Sequence, residues 1–109
     1  MRQIVYMSRA KIHLPQEALA ELRLGAYERN EEMGVTGLLV YDGSRYIQAL
    51  EGKADSVHEI MNSIANDSRH DHITYLADRP LKTRQFVGWA LEYIGFEGSE
   101  PFVDRVKKG

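Results

Sequence analysis

Gln48 is a polar residue in an apolar, β-prone stretch, where it lies between the large side chains of Tyr46 and Leu50. Burying its amide without a hydrogen-bond partner would cost roughly 1–3 kcal/mol. A tyrosine hydroxyl from the neighbouring strand would satisfy the amide, and Tyr6 is the tyrosine available there. If the sheet has one solvated face, Gln48 points to water instead, so the sequence leaves both placements open.

Asn30 stands at the end of an amphipathic stretch. Asparagine is also a common residue at helix ends, because it tolerates left-handed geometry. If Asn30 joins Tyr6 and Gln48 at one cavity, the three supply a phenol and two amides. These groups donate and accept hydrogen bonds without carrying charge at neutral pH. Such a set suits a flat heteroaromatic ligand with carbonyls and ring nitrogens better than a phosphate or a carboxylate.

Other chemistries have less support in the sequence. The absence of cysteine excludes disulfides, thiolate nucleophiles and cysteine-based zinc sites. His70 and His72 lie two residues apart, but no third ligand is evident, so no metal site is predicted. The serines lack a nucleophile-elbow motif, and residues 8–11 are a poor substitute for a phosphate-binding loop.

The composition predicts one small, soluble, cytoplasmic domain. The chain has 109 residues, 43% hydrophobic and 28% charged, which fits a single core. A net charge of −2 provides no excess of cations to neutralise nucleic-acid phosphates. The N-terminus lacks a signal-peptide core, and no apolar run approaches the ~20 residues of a membrane helix.

The elements that must position these side chains follow from hydrophobic periodicity. Strands are predicted at residues 4–7, 35–41, 45–50 and 73–77, with a fifth within 86–96, and helices at 15–31 and 54–67. Asp42 and Gly43 favour a hairpin between the second and third strands. Asp78, Arg79 and Pro80 should break the pattern between the fourth and fifth strands, because proline cannot sit in a paired central strand. Residues 1–97 then form the domain and 98–109 a loose C-terminal tail.

The order βαββαββ predicts an α+β fold. Right-handed crossovers favour a ferredoxin-like sandwich, with two helices on one face of a five-stranded mixed sheet. The third strand would lie between the first two, so that Tyr6 and Gln48 share the face toward the helices. The opposite face would carry an uncovered apolar patch of Val5, Met7, Ile47 and Ala49. Such patches usually mark an interface, so we expect a homo-oligomer or a docked partner there.

Five segments along the chain carry a resemblance to a known family. They are residues 4–10 (IVYMSRA), 29–30 (RN) followed by 34–39 (GVTGLL), 46–52 (YIQALEG), 67–70 (DSRH) and 84–89 (RQFVGW). In this order and spacing they resemble the BLUF family of blue-light sensors, over about residues 4–96. Each segment alone is a weak signal, and five in order make a strong one.

The resemblance implies a flavin, usually FAD, held noncovalently between the two helices, with FMN and riboflavin as alternatives. Tyr6 matches the photoactive tyrosine, Gln48 the switching glutamine, and Asn30 the amide that holds a flavin carbonyl. The resemblance also places Arg29, Asp67, Arg69 and His70 along the flavin or its tail, and Leu22, Tyr46, Leu50 and Ile64 as apolar walls. In this family, excited flavin takes an electron from the tyrosine, and the proton follows through the glutamine. Recombination leaves a rearranged glutamine network and a red-shifted spectrum.

One position departs from the family pattern. Leu91 stands where the family commonly has methionine, and leucine lacks the thioether acceptor although its volume is similar. We expect flavin binding and the primary photoreaction to survive this change, and signal transmission along the fifth strand to be affected. Trp89 and Leu91 are the expected signalling residues, although Trp89 also fits a role in core packing.

The resemblance predicts a photoreceptor that is not an enzyme. Only a short tail follows the fifth strand, so the effector is expected to be a separate protein. The main alternative is a BLUF-like domain that has lost its flavin and acts as a protein-interaction module. A third candidate, an enzyme acting on a phosphate ester or anhydride, would require a better phosphate loop than residues 8–11 provide.

Overall fold

The computed structural model describes residues 1–93 of the chain, and side chains as far as residue 89. Its elements are β1 (Arg2–Ala10), α1 (Gln16–Glu32), β2 (Thr36–Tyr41), β3 (Arg45–Gly52), α2 (Ala54–Ala65), β4 (His70–Pro80) and β5 (Trp89–Tyr93). The predicted tail, residues 98–109, lies outside the described residues.

The sheet has the strand order β4–β1–β3–β2–β5. The four strands β4, β1, β3 and β2 are antiparallel to their neighbours, and β5 pairs with β2 in parallel. Of the predicted five-stranded mixed sheet with two helices, the two helices and a four-stranded antiparallel sheet are therefore confirmed. In the β1–β3 register Tyr6 lies opposite Gln48, and Gln3 lies opposite Glu51.

The turn between β2 and β3 forms where the sequence predicted a hairpin. The Asp42 carboxylate accepts hydrogen bonds from the backbone N–H groups of Ser44 and Arg45, both at 2.9 Å. Gly43 adopts φ = 93°, in the left-handed region that favours glycine. Aspartate followed by glycine thus supplies both the side-chain acceptor and the backbone freedom of this turn.

The fourth strand runs from His70 to Pro80 and is therefore longer than the predicted residues 73–77. It includes residues 78–80, which we expected to lie outside the strand. The correction follows from the strand's position, because β4 is an edge strand and edges tolerate proline. The pairing of β4 with β1 has two register shifts, and His72 near one of them adopts φ = 52°. Such bulges re-aim the side chains beside them.

Both helices pack on the same face of the sheet. The apolar stripe of α2, with Val57, Ile60, Met61 and Ile64, packs against Ile4, Tyr6 and Leu50. Helix α1 packs through Ala18, Leu19, Leu22 and Ala26 against Leu39, Tyr41, Tyr46 and Trp89. The two clusters lie side by side, so the space between them is bounded by both helices and the central strands.

The opposite sheet face is not the uncovered patch that the sequence predicted. Val5, Ile47 and Ala49 are each 0% exposed, and Phe86 packs against their cluster. The segment of residues 81–88, which connects β4 to β5, brings Phe86 onto this face. Met7, the fourth residue of the predicted patch, is partly buried against the same cluster. Sequence periodicity could not show that Phe86 packs on this face. The side chains expected to be exposed are thus covered, and an oligomer or docked partner stays a prediction without that support.

Candidate functional site

A cavity of about 480 Å³ lies between α1, the C-terminal end of α2 and the sheet. This volume is within the range of about 300–1,000 Å³ typical of small-molecule sites. The structure brings to it most of the residues that the sequence singled out, namely Tyr6, Leu22, Arg29, Tyr46, Gln48, Ile64, Asp67, Arg69 and His70. Its lining is mainly apolar, with a few polar groups that converge on it.

Tyr6 and Gln48 meet at this cavity. The Tyr6 hydroxyl donates a hydrogen bond to Gln48 Oε1 at 2.7 Å, and the two residues are 3% and 2% exposed. Gln48 is therefore buried and paired rather than solvated, which decides between the two placements that the sequence left open. The pair forms because β1 and β3 are adjacent central strands and the two residues are direct cross-strand partners.

The buried setting keeps the Tyr6 phenol protonated. Burial raises the pKa of Tyr6 well above its ordinary value, and the nearby Tyr46 raises it further. Burial also raises the pKa of Tyr46 to about 12. At physiological pH both phenols are thus neutral hydrogen-bond donors.

Four buried polar atoms have no hydrogen-bond partner among the described residues. Two of them, Asn30 Nδ2 and the Tyr46 hydroxyl, lie at or next to this cavity, whereas Arg79 Nη2 and Trp89 Nε1 do not. Asn30 is 0% exposed, and its Oδ1 accepts a bond of 3.3 Å from Nε of Arg29, whose own side chain lines the cavity. A ligand with acceptor atoms would satisfy these two donors.

His70 is held in one orientation by two contacts. Its Nε2 lies 2.7 Å from the backbone oxygen of Ile64, and its Nδ1 lies 2.6 Å from the Ser8 hydroxyl. Because a carbonyl only accepts, the neutral ring carries its proton on Nε2, and Ser8 donates to Nδ1. The ring lies 6.1 Å from that of Tyr6 and 5.8 Å from that of Tyr46, measured between centroids.

The cavity lining also includes charged groups. Asp67 accepts hydrogen bonds from the backbone N–H and the Nε of Arg69, both at 2.9 Å. This bonding lowers the pKa of Asp67 and raises that of Arg69. Burial lowers the pKa of Arg29, but an arginine side chain remains charged at any physiological pH. Arg29 and Asp67 both act on the Tyr6 phenol, Arg29 lowering its pKa and Asp67 raising it.

Three of the predicted flavin-binding residues do not line the cavity through described side chains. Asn30 is hydrogen-bonded to Arg29, which does line it, and Leu50 instead packs with α2. The side chain of Leu91 lies outside the described residues, while its backbone pairs with Leu39. Trp89 is 8% exposed and belongs to the cluster under α1.

The sequence missed several lining residues, which are Ile12, Leu14, Ala18, Glu21, Gly25, Ala26 and Leu39. Leu39 was recoverable in principle, since it lies opposite Gln48 in the β2–β3 pairing. The small residues Gly25 and Ala26 on α1 leave room for the cavity. Helical periodicity considers only which positions are apolar, so it does not use the small size of these side chains. Residues 12 and 14 lie in a loop, for which sequence periodicity makes no prediction.

The competing chemistries gain no support. Within residues 1–93, no group of three or more metal-ligating side chains comes together. Arg9, in the stretch considered as a phosphate loop, instead pairs with Asp71 at 2.8 Å. Neither helix of the described chain is long and apolar enough to cross a bilayer.

The family model that matches the chain is that of BLUF, sensors of blue-light using FAD, and it covers residues 1–92. Photoactivated adenylate cyclase subunit beta of Euglena gracilis is 30% identical over an alignment of 96 residues, and the match covers 84% of this chain and 11% of the relative. The blue light- and temperature-regulated antirepressor BluF of Escherichia coli K12 is 32% identical over 83 residues, 76% of this chain and 21% of that protein. The chain thus spans only a small part of these relatives.

Solved structures share the fold. A bacterial light-regulated adenylyl cyclase superposes with a TM-score of 0.80 at 25% identity, covering 98% of this chain and 33% of the cyclase. The dark-state structure of the BLUF protein BlrB gives a TM-score of 0.78 at 24% identity, covering 98% of this chain and 81% of that one.

Proposed function

Because the chain belongs to the BLUF family of blue-light sensors that use FAD, we propose that it is a photoreceptor whose switch is the Tyr6–Gln48 pair. The observation that carries this proposal is the buried 2.7 Å hydrogen bond between the two side chains at the cavity. In this proposal the domain has no catalytic role, and its output is a change of conformation.

The cavity residues fit a flavin. A flavin ring presents carbonyl oxygens and ring nitrogens, which would satisfy the unpaired donors Asn30 Nδ2 and Tyr46 OH. Leu22 and Ile64 would contact the faces of the ring, and Arg29, Asp67, Arg69 and His70 would hold its polar edge or its tail. FAD is the form that the family's description gives, and FMN or riboflavin would meet the same ring-binding residues.

FAD, when bound, absorbs blue light and then becomes an oxidant able to take an electron from a phenol. Tyr6 is prepared for this loss, since its raised pKa keeps the proton in place until the phenol is oxidised. An oxidised phenol is a strong acid, so its proton moves along the existing bond to Gln48 Oε1. When the electron and the proton return, Tyr6 is restored and there is no net reaction.

In this proposal Gln48 keeps a changed hydrogen-bonding arrangement after Tyr6 is restored. Its amide carries a donor and an acceptor on one rotatable group, and Tyr6 can donate to Oε1 or accept from Nε2. Rotation or tautomerisation therefore gives two satisfiable arrangements, separated by a few kcal/mol or less for each exchanged bond. Such a bistable element is what a switch requires. The changed hydrogen bonding of the flavin would appear as a red shift of its spectrum.

The remaining parts of the proposal concern fold class, output and location. The antiparallel order of β4, β1, β3 and β2 under two helices supports the ferredoxin-like class, with β5 added at the edge. Trp89 and Leu91 would carry the signal along β5 to an effector protein in trans or to a second copy of the chain. If they do, the substitution Leu91→Met should change the rate at which the red-shifted spectrum returns to that of the dark state. The cysteine-free sequence supports a cytoplasmic location.

Absorption spectroscopy tests this function directly. The protein is purified in the dark and its spectrum recorded before and after blue light. A flavin spectrum with a reversible red shift is expected, and Gln48→Ala should retain flavin and lose the shift. A bound flavin without any shift would contradict the switching role. Failure to bind flavin after reconstitution would favour the interaction module instead.

A further inference from the structure

A buried polar chain crosses the sheet on the face away from the helices. Arg79 Nε donates to Gln3 Oε1 at 2.8 Å, and Gln3 Nε2 donates to Glu51 Oε2 at 2.8 Å. Glu51 Oε1 accepts from the backbone N–H groups of Gln85 at 2.7 Å and Phe86 at 3.1 Å. Gln3 and Glu51 are both 0% exposed. We call this set the latch, since it ties β4, β1 and β3 to the 81–88 segment.

Arg84 fastens the same segment at a second point. Its guanidinium donates to Thr36 Oγ1 at 2.8 Å, to the backbone oxygen of Glu51 at 3.0 Å and to that of Gly34 at 2.9 Å. The 81–88 segment is therefore held by Glu51, a side chain of β3, and also by Arg84, a side chain of the segment itself. It leads directly into β5, whose position beside β2 depends on where the segment ends.

The direction of the hydrogen bonds in the latch allows a single arrangement. The carboxylate of Glu51 only accepts and the guanidinium of Arg79 only donates, so the Gln3 amide between them must point one way. An amide at position 51 would place a donor against Gln3 Nε2 or against the two backbone N–H groups. Turning Gln3 to relieve the first conflict would bring its Nε2 against the Arg79 donor. Glu51→Gln should therefore break the latch with almost no change in volume.

We propose that Glu51 is a positioning residue for the output of the switch, holding the 81–88 segment in the dark and loosening it in the light. The inference rests on the proposed function. Tyr6 and Gln48 are cross-strand partners, and Gln3 and Glu51 are the partners three residues away on the same two strands. An odd separation puts the two pairs on opposite faces. A shift of β3 against β1 when Gln48 rearranges thus acts on the Gln3–Glu51 bond, and through it on the segment before β5.

Hydrogen exchange measured by mass spectrometry, on flavin-loaded protein in the dark and under blue light, tests the proposal. Absorption spectra of the same samples report the switch itself. In the wild type the amides of Gln85 and Phe86 should exchange about tenfold faster in the light, because their acceptor is lost. Glu51→Gln should show the fast exchange in the dark, gain little more in the light, and keep the red shift. Glu59→Gln, the same change at an exposed position of α2, should behave as the wild type.

Each result of these measurements either supports or contradicts the proposed role of Glu51. A red shift without any light-dependent change of exchange at Gln85 and Phe86 would overturn the latch and leave the proposed function standing. Absence of the red shift in the wild type would overturn both. A Glu51→Gln variant with the wild-type light response, or one without the red shift, would also overturn the latch. If Glu51→Gln does not fold, Arg79→Met is the second test, because it removes the hydrogen bond from Arg79 to Gln3. It should raise hydrogen exchange in the dark at the amides of Gln85 and Phe86.

Discussion

Replacing Tyr6 by phenylalanine removes one oxygen atom and tests the switching pair most directly. The hydroxyl lost is the donor to Gln48 Oε1, and Gln48 is only 2% exposed, so water cannot easily replace it. Leaving a buried acceptor unpaired costs about 1–3 kcal/mol. For a domain of this size each kcal/mol lowers Tm by about 4–8 °C. The variant should bind flavin, show no red shift, and unfold at correspondingly lower temperature or urea concentration.

Tyr46→Phe is the matched control, because it removes the same atom from another tyrosine of the same cavity. The Tyr46 hydroxyl has no hydrogen-bond partner among the described residues, so its removal leaves no protein acceptor unpaired. We expect the stability of the flavin-free Tyr46→Phe protein to stay within about 0.5 kcal/mol of the wild type, and the red shift to persist once flavin is bound. Flavin binding itself should weaken, because the hydroxyl is then proposed to donate to the ligand. Urea unfolding of the flavin-free proteins and light-minus-dark spectra of the loaded ones measure stability and switching separately. Normal switching in Tyr6→Phe, or equal loss of stability in the two variants, would refute the reasoning.

Three further predictions follow from particular contacts. Gly37→Ala would place a Cβ against the backbone oxygen of Ala49, so urea unfolding should show a free energy of unfolding lower by about 3 kcal/mol or more. Gly25→Ala, whose Cβ would enter only open space at the cavity, should leave the stability of the flavin-free protein unchanged or raise it. The lowered pKa of Asp67 means that its ion pair adds stability above the unfolded pKa of about 3.9 and loses it as pH falls through the folded value, so Asp67→Asn should flatten the acid side of the Tm–pH profile. Asn30→Ala should weaken flavin binding about tenfold in a fluorescence titration, and an unchanged Kd would show that this amide does not contact the flavin.

The pairing of Tyr6 with Gln48 was predictable only in part. The hairpin at Asp42 places β3 beside β2, which follows from residues within one turn. The adjacency of β3 and β1 follows instead from the right-handed crossover between the first two strands, which leaves a gap for the third. Spacing within one strand could not decide whether Gln48 is buried or solvated, and its hydrogen bond to Tyr6 shows that it is buried.

The sheet face away from the helices shows what residue spacing cannot predict, which is the path of a connecting segment. Alternation correctly assigned Ala49 to the side opposite Gln48, yet it could not show that Phe86 of the 81–88 segment packs on that side. The same segment is bound by Glu51, a buried residue whose carboxylate accepts hydrogen bonds from Gln3 and from two backbone N–H groups. A charged residue at this position of a strand would ordinarily indicate a solvated face. Buried, it instead stabilises one path of the chain, since an unpaired carboxylate there would cost far more than the loop's lost freedom. The residue that sequence patterning would assign to solvent is thus the one whose carboxylate binds the segment that leads into β5.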